Sequence, residues 1–349
     1  VAAIAAGAVL LAGIVAPTSS AAPRRDINQV RNQVRDLEMR AESATEHYNQ
    51  ARGELADVQD QLKALKDRSA RENAQLQSIL STVDDLARST YTNGGLDTSL
   101  QVLMADNPSE FLAQAAALDQ VAQSQAAALR RTQTARVRLA QSQAAIKDKE
   151  AIAQGKRNEM ASAKADADQN LNAAKAILAS LQDAERKRLA QIAAQEKQAS
   201  YSAANAAKMQ LGSVGSSASA AGGGFAGGTK ANLAVSYALS QVGDSYVAAA
   251  AGPSAFDCSG LTLAAWRQAG VSLPHYSFSQ YGSTRHVPLS QAQPGDLLFF
   301  FGGGTHHVAM YIGGGRMVHA ANPSSGVIVS SVYEGWYMQR FSGVGRVVG

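Results

Sequence analysis

One cysteine, Cys258, stands in the 349-residue chain, inside the run Phe256-Asp257-Cys258-Ser259-Gly260. Asp257 has the chemistry of a helix N-cap, and the apolar spacing of the following residues suits a helix that stops at Gly270. Cys258 is therefore expected in the first helical turn, where unpaired backbone N–H groups and the helix dipole favour a thiolate. A lone cysteine is most often a small buried hydrophobe. This one sits where a nucleophile would be activated.

A nucleophilic thiol needs a base to take its proton, and the base needs a partner to fix its orientation. Histidines supply both parts further on. The segment from His307 to Ala320 reads as two strands joined across Gly313-Gly314-Gly315. With a three-residue loop, Ala309 opposes His319, and His307 and His319 become diagonal neighbours on one face. A loop of even length puts them on opposite faces. His306 competes with His307 for the role of base. His275 and His286 read as surface residues, and His47 as a solvated side chain on a helix. His306, His307 and His319 raise the question of zinc, but no HExxH occurs and residues 229–349 hold only four carboxylates. Neither a catalytic metal nor a cofactor is expected.

These residues need elements to hold them. Before Pro253 the chain has prolines only at 17, 23 and 108, and between Arg24 and Gly212 glycines only at 53, 94, 95 and 155. From Ile27 the apolar positions step by three and four through Val34, Ala41, Ala51, Val58, Leu62 and Leu76 to Leu86, an a/d seam of about eight heptads. The pattern breaks near 92–110. A second, alanine-rich seam starts at Leu118 and continues more weakly to Ala184. Residues 26–211 are thus expected as a coiled-coil domain, most simply an antiparallel hairpin, with a parallel dimer as the alternative. A Gly/Ser/Ala stretch over 212–230 reads as a flexible linker, and residues 231–349 as the domain that carries the chemistry.

Composition narrows the function. Residues 26–228 hold 24 basic and 24 acidic side chains and residues 229–349 hold 6 and 4, so no basic block is present to track phosphates and no nucleic-acid partner is expected. Residues 1–16 are an uncharged apolar run, followed by Pro17 and small residues. Residues 1–22 read as a cleaved signal peptide, since the run is shorter than the ~20 residues that span a bilayer. The rest of the chain is then exported.

The blocks FDCSGLTLAAWRQAGVSLPH, PGDLLFF and HVAMYIGGGRMVHA resemble, in order and spacing, those of the NlpC/P60 cell-wall peptidases. The resemblance spans about residues 231–349. It implies an α+β, papain-like domain with helices packed on an antiparallel sheet, and hydrolysis of peptidoglycan stem peptides, typically at the D-glutamyl–diaminopimelate bond. Carried over by position, it makes Cys258 the nucleophile, His307 the base and His319 its orienting partner. Tyr246, twelve residues before the nucleophile, matches an oxyanion-site tyrosine, and Asp257 and Ser259 match substrate-binding positions. Val247–Ala251 depart from the family's usual aromatic- and glycine-containing stretch, which bears on the shape of that groove wall.

The whole architecture is similar to the exported, division-associated hydrolases of mycobacteria of the Rip type. The helical half also looks like the arm of hydrolases controlled by the FtsE–FtsX membrane complex. The resulting expectation is a secreted, cell-wall-associated cysteine endopeptidase whose coiled coil is a regulatory or partner-binding arm, with autoinhibition as one mode. Two alternatives stand beside it: a coiled-coil activator with a vestigial catalytic domain, or an amidase or acyl transferase on the same fold.

Overall fold

The computed structural model describes residues 26–92, 108–218, 228–302 and 306–347. The expected signal segment 1–22 lies outside them, as does most of the break near 92–110.

Helices α1 (Ile27–Thr92) and α2 (Pro108–Ala179) form an antiparallel hairpin within one chain. The 66 residues of α1 make a rod of about 100 Å at ~1.5 Å per residue. Ala41 and Ala44 pack on Ala167, and Val58 and Leu62 on Ala153, so α2 descends as α1 rises. Lys66 pairs with Glu150 at 2.8 Å, and Ser142 donates to the Glu72 carboxylate. Of the α1 seam, Ile27, Val34, Ala41, Ala51, Val58, Leu62 and Leu76 are buried. The upper part of the hairpin is thinner: Val121, Leu129 and Val137 of α2 are exposed, because alanine and polar seam members leave little apolar surface to cover.

The helical stretch to residue 211 does not continue α2 as one arm. It breaks at Ser180–Gln182, where the Glu185 carboxylate accepts from the Gln182 backbone N–H at 3.0 Å, and helix α3 (Asp183–Ala218) departs in a new direction. On α3, Ser200, Ala204 and Ala207 share one face at i, i+4 and i+7. Small side chains there let the helix approach the C-terminal domain and enter its core. Ser200 Oγ accepts from Val329 N at 2.8 Å. Helix α3 continues to Ala218 and α4 (Gly228–Ser240) follows, so both ends of the stretch read as a linker are helical; residues 219–227 are outside the described set.

The C-terminal domain is the expected α+β arrangement. After a short parallel pair, β1 (Ser245–Tyr246) with β2 (Ala255–Phe256), come α5 (Cys258–Gln268), α6 (Ser277–Gly282), β3 (Arg285–Val287), β4 (Leu297–Phe300), β5 (His307–Gly313), β6 (Arg316–Asn322), β7 (Gly326–Ser331), α7 (Gly335–Met338) and β8 (Phe341–Arg346). Strands β3 to β8 make one antiparallel sheet in the order β3-β8-β4-β5-β6-β7. Both faces of its centre are covered. Leu297 and Phe299 of β4 join the core under α5, with Leu261, Ala264 and Ala265, while Leu298 and Phe300 join a second core with Tyr337 and Val344. That explains why β4 reads as an unbroken apolar run rather than an alternating one.

The β5–β6 hairpin carries the two histidines. Met310 pairs with Val318 and Tyr311 with Met317, a register that continues to Ala309 opposite His319. A bulge between Tyr311 and Gly313 absorbs the extra loop residue, and Gly313, Gly314 and Gly315 all have positive φ.

Candidate active site

Asp257 caps α5 as its residue type suggests, its backbone extended and its carboxylate accepting from Gly260 N at 2.6 Å. This fixes Cys258 in the first turn of α5, beneath the open edge of the β5–β6 hairpin. His307 Nε2 lies 2.9 Å from His319 Nδ1, and His319 Nε2 lies 3.0 Å from Ser330 Oγ on β7. A ring nitrogen of His307 lies within 4.8 Å of the Cys258 sulfur. Cys258, His307 and His319 are thus brought together. The Tyr246 hydroxyl is buried and has no hydrogen-bond partner among the described residues. Ser259 Oγ and the Ser277 backbone N–H complete the near wall.

The groove is not open. Helix α1 lies along it with a polar stripe next to its apolar seam: Arg35, Glu38, Glu42, Glu46, Asn49 and Arg52, spaced by three and four. Glu42 Oε1 sits 2.6 Å from His307 Nδ1. Glu46 Oε1 accepts from Ser259 Oγ at 2.7 Å and lies 3.5 Å from Cys258 Sγ, and its other oxygen accepts from Ser277 N. Asn49 donates to Asp257 at 2.9 Å, and Arg52 donates to the carbonyl of Ala249 at 3.4 Å. Cys258 has no solvent exposure at all under this cover.

The electrostatics follow from that burial. Cys258 is where a helix N-terminus should lower its pKa, yet its thiol is pushed well above the ordinary value. Desolvation is the main cause, followed by the charges of Glu46, Glu42 and Asp257. Burial under α1, with the nearby carboxylates adding to it, thus works against the thiolate expected at a helix start. Burial also raises the Glu42 carboxyl, against the opposing pull of His307, and raises Glu46, where Asp257 adds to it. His319 is driven well below the usual imidazole range by burial and then by His307, so it stays neutral.

Other histidines sort out by contact. His306 is half-buried against α1, with Nδ1 2.7 Å from Ser43 Oγ. His275 is not the surface residue its loop position suggests. Its Nε2 lies 2.8 Å from Asp257 and its Nδ1 2.6 Å from Arg52, because the 273–276 loop folds back over the α5 cap. His286 is exposed and stacked on Tyr281, and His47 is exposed on α1. In the divergent stretch, Ala249 takes a left-handed φ of 61° and Ala250 O accepts from Asp257 N, giving a tight wall without an aromatic. On the other flank of His307 a cavity of about 500 Å³ remains between α1, α3 and β6–β7, lined among others by Arg35, Glu196, Arg316 and Trp336.

Residues 243–346 match the model of the NlpC/P60 family. The chain is 43% identical over 111 residues to the "Probable endopeptidase p60" of Listeria grayi, covering 32% of this chain and 21% of that protein. It is 46% identical over 77 residues to the "Peptidoglycan endopeptidase RipB" of Mycobacterium tuberculosis, covering 22% of this chain and 32% of that one. The crystal structure of the P60 domain of an M. avium subspecies paratuberculosis antigen is similar at 31% identity and a TM-score of 0.32, over 35% of this chain and 98% of that one. The chain therefore spans only about a fifth to a third of the length of these curated relatives.

Proposed function

We infer from the NlpC/P60 domain that residues 243–346 form that the protein is a cysteine endopeptidase of peptidoglycan stem peptides, covered by its own first helix until that helix is moved. The observation that carries the reading is the placement of Cys258 at the start of α5 beside the relay His307–His319–Ser330. Once Glu42 leaves, His307 Nδ1 is free to take the Cys258 proton, while His307 Nε2–H donates to His319 and His319 Nε2–H to Ser330. Glu42 as a carboxylate inverts that relay, because it claims the proton on Nδ1.

The thiolate attacks the scissile carbonyl. The Cys258 backbone N–H and the unpartnered Tyr246 hydroxyl stabilise the oxyanion. His307 returns its proton to the leaving amine, and water then hydrolyses the thioester. The D-glutamyl–diaminopimelate bond fits the pocket chemistry. Ser259 and Ser277 N–H already hold one carboxylate beside the nucleophile, that of Glu46. A D-glutamate linked through its side chain presents a free α-carboxylate in the same relation to its scissile carbonyl. Asp257 offers a negative charge for an ammonium group of the peptide.

The same contacts make α1 an autoinhibitory arm. The thin, exposed end of the hairpin is then the part that a membrane division complex of the FtsE–FtsX type would engage. Export through residues 1–22 to the cell wall belongs to this reading; no helix of the described residues is long and apolar enough to cross a membrane.

The test is digestion of diaminopimelate-type peptidoglycan by three chains, with products read by mass spectrometry: wild type, Glu42→Lys/Glu46→Lys, and the same double variant with Cys258→Ala. Fragments ending at D-glutamate should come fast from the double variant, slowly from wild type and not at all without the thiol. A product that joins or cuts another bond favours the amidase or transferase alternative. No product from a folded double variant returns the weight to the coiled coil.

A further inference from the structure

Donors from two separate parts of the chain converge over the nucleophile. One ligand atom each of Glu42, Cys258 and His307 lies within 4.8 Å of the other two, and all three residues are buried. A thiolate, an imidazole nitrogen and a carboxylate oxygen are a three-donor set that suits four-coordinate zinc with water in the fourth position.

The outer partners of such a site are also present. The far nitrogen of His307 is held by His319, and His319 by Ser330. Metal ligands are ordinarily oriented by contacts of this kind. The cluster also gathers three buried carboxylates, Glu42, Glu46 and Asp257, around one spot, where a divalent cation would offset their repulsion.

We propose that the covered chain binds one zinc ion between α1 and the catalytic pair, ligated by Glu42, Cys258 and His307 with water at the fourth position, so that the metal locks the arm over the groove. The inference rests on the autoinhibitory reading of α1. Binding exchanges the cation for two protons, one from the Cys258 thiol and one held between His307 and Glu42. Both go to solvent, and no atom changes oxidation state. The 2.6 Å Glu42–His307 contact must open to about 3.2 Å to admit an ion with bonds of ~2.0–2.3 Å, which side-chain rotation supplies. One of the three protein donors, Glu42, belongs to the arm. An uncovered groove keeps only Cys258 and His307 and loses most of its affinity, so zinc and closure reinforce each other.

The test is titration of the full metal-free chain with cobalt(II), followed by its ligand-field bands and its thiolate-to-cobalt charge-transfer band, with zinc as competitor. Alkylation of Cys258 in the metal-free chain is measured alongside, against the Glu42→Lys/Glu46→Lys variant, to report whether the arm is seated. The expected result is a one-to-one complex with a thiolate band that zinc abolishes. Glu42→Gln should weaken it by about tenfold or more, and Cys258→Ser should remove the charge-transfer band. Absence of the band, or equal affinity in Glu42→Gln, overturns the metal site while slow wild-type alkylation leaves the arm reading intact. Alkylation of metal-free wild type as fast as the double variant overturns both.

Discussion

Glu46 is the side chain on which the closed groove turns, and removing its carboxyl while keeping the helix is a direct perturbation. Glu46→Ala withdraws the acceptor from Ser259 Oγ and from Ser277 N, and in the covered state leaves that backbone N–H buried and unpaired. An unsatisfied buried donor plus a lost hydrogen bond to a carboxyl group costs about 2–3 kcal/mol. This shifts the ratio of uncovered to covered chains about 30- to 150-fold.

Cys258 is the chain's one cysteine and is fully buried when covered, so the rate of its capture by iodoacetamide in chelator-treated protein reports the uncovered fraction. Glu46→Gln is the companion variant. It keeps an acceptor oxygen for Ser277 and relieves the repulsion with Asp257 that helps raise the Glu46 pKa. Its thiol should react no faster than wild type. A Glu46→Ala chain alkylated at the wild-type rate refutes the reasoning, and so does a Gln variant that opens as far as Ala.

Closure should also weaken with rising pH. Glu42 and Glu46 have pKa values raised above the ordinary 4.5 when covered, so the covered state binds more protons than the open one. Its stability is full below 4.5 and is lost as pH climbs through the raised values; Cys258, also raised, extends the trend upward. The ratio of wild-type to Glu42→Lys/Glu46→Lys alkylation rates, in which thiolate chemistry cancels, should rise with pH, and a flat ratio contradicts it. In the uncovered double variant, His319→Ala should lower turnover of stem peptides about a hundredfold or more, as loss of a group that orients a general base does; unchanged turnover removes His319 from the relay. Asp296, nearly buried, pairs with Arg346 through contacts of 2.9 and 2.7 Å, and Asp296→Ala should destabilise the domain by about 3 kcal/mol in denaturant unfolding.

Much of this was legible from residue order. An N-cap aspartate before a helical pattern places Cys258, and the glycine turn with its flanking strands places His307 and His319 on one face, because both signals are local. The seam residues of α1 follow from a period of three and four. What local pattern does not carry is which distant element a helix meets. Glu42 and Glu46 look like the solvated side of a coiled coil. Only their like charge four residues apart, unfavourable on an isolated helix, hints that something else satisfies them. His275 was misread for the same reason, since its partners Asp257 and Arg52 lie 18 and 223 residues away. The expectation of a thiolate at a helix start counts only the element that bears the cysteine. The last part of the stretch read as one coiled-coil domain is a separate helix, Asp183–Ala218, whose small residues at 200, 204 and 207 fit a domain surface better than a coiled-coil partner.

That third helix has a kinetic consequence. Since α3 is built into the core of the catalytic domain and joins α2 through only three residues, the hairpin cannot diffuse away when α1 lifts off. The groove meets its own blocker as a neighbour at high effective concentration, of the order of millimolar for a short tether. Inhibition is then independent of how dilute the protein is, and recapture is a unimolecular event. On the proposed autoinhibitory reading, an activating signal must hold the arm away for as long as cutting is wanted, and activity ends when the signal does.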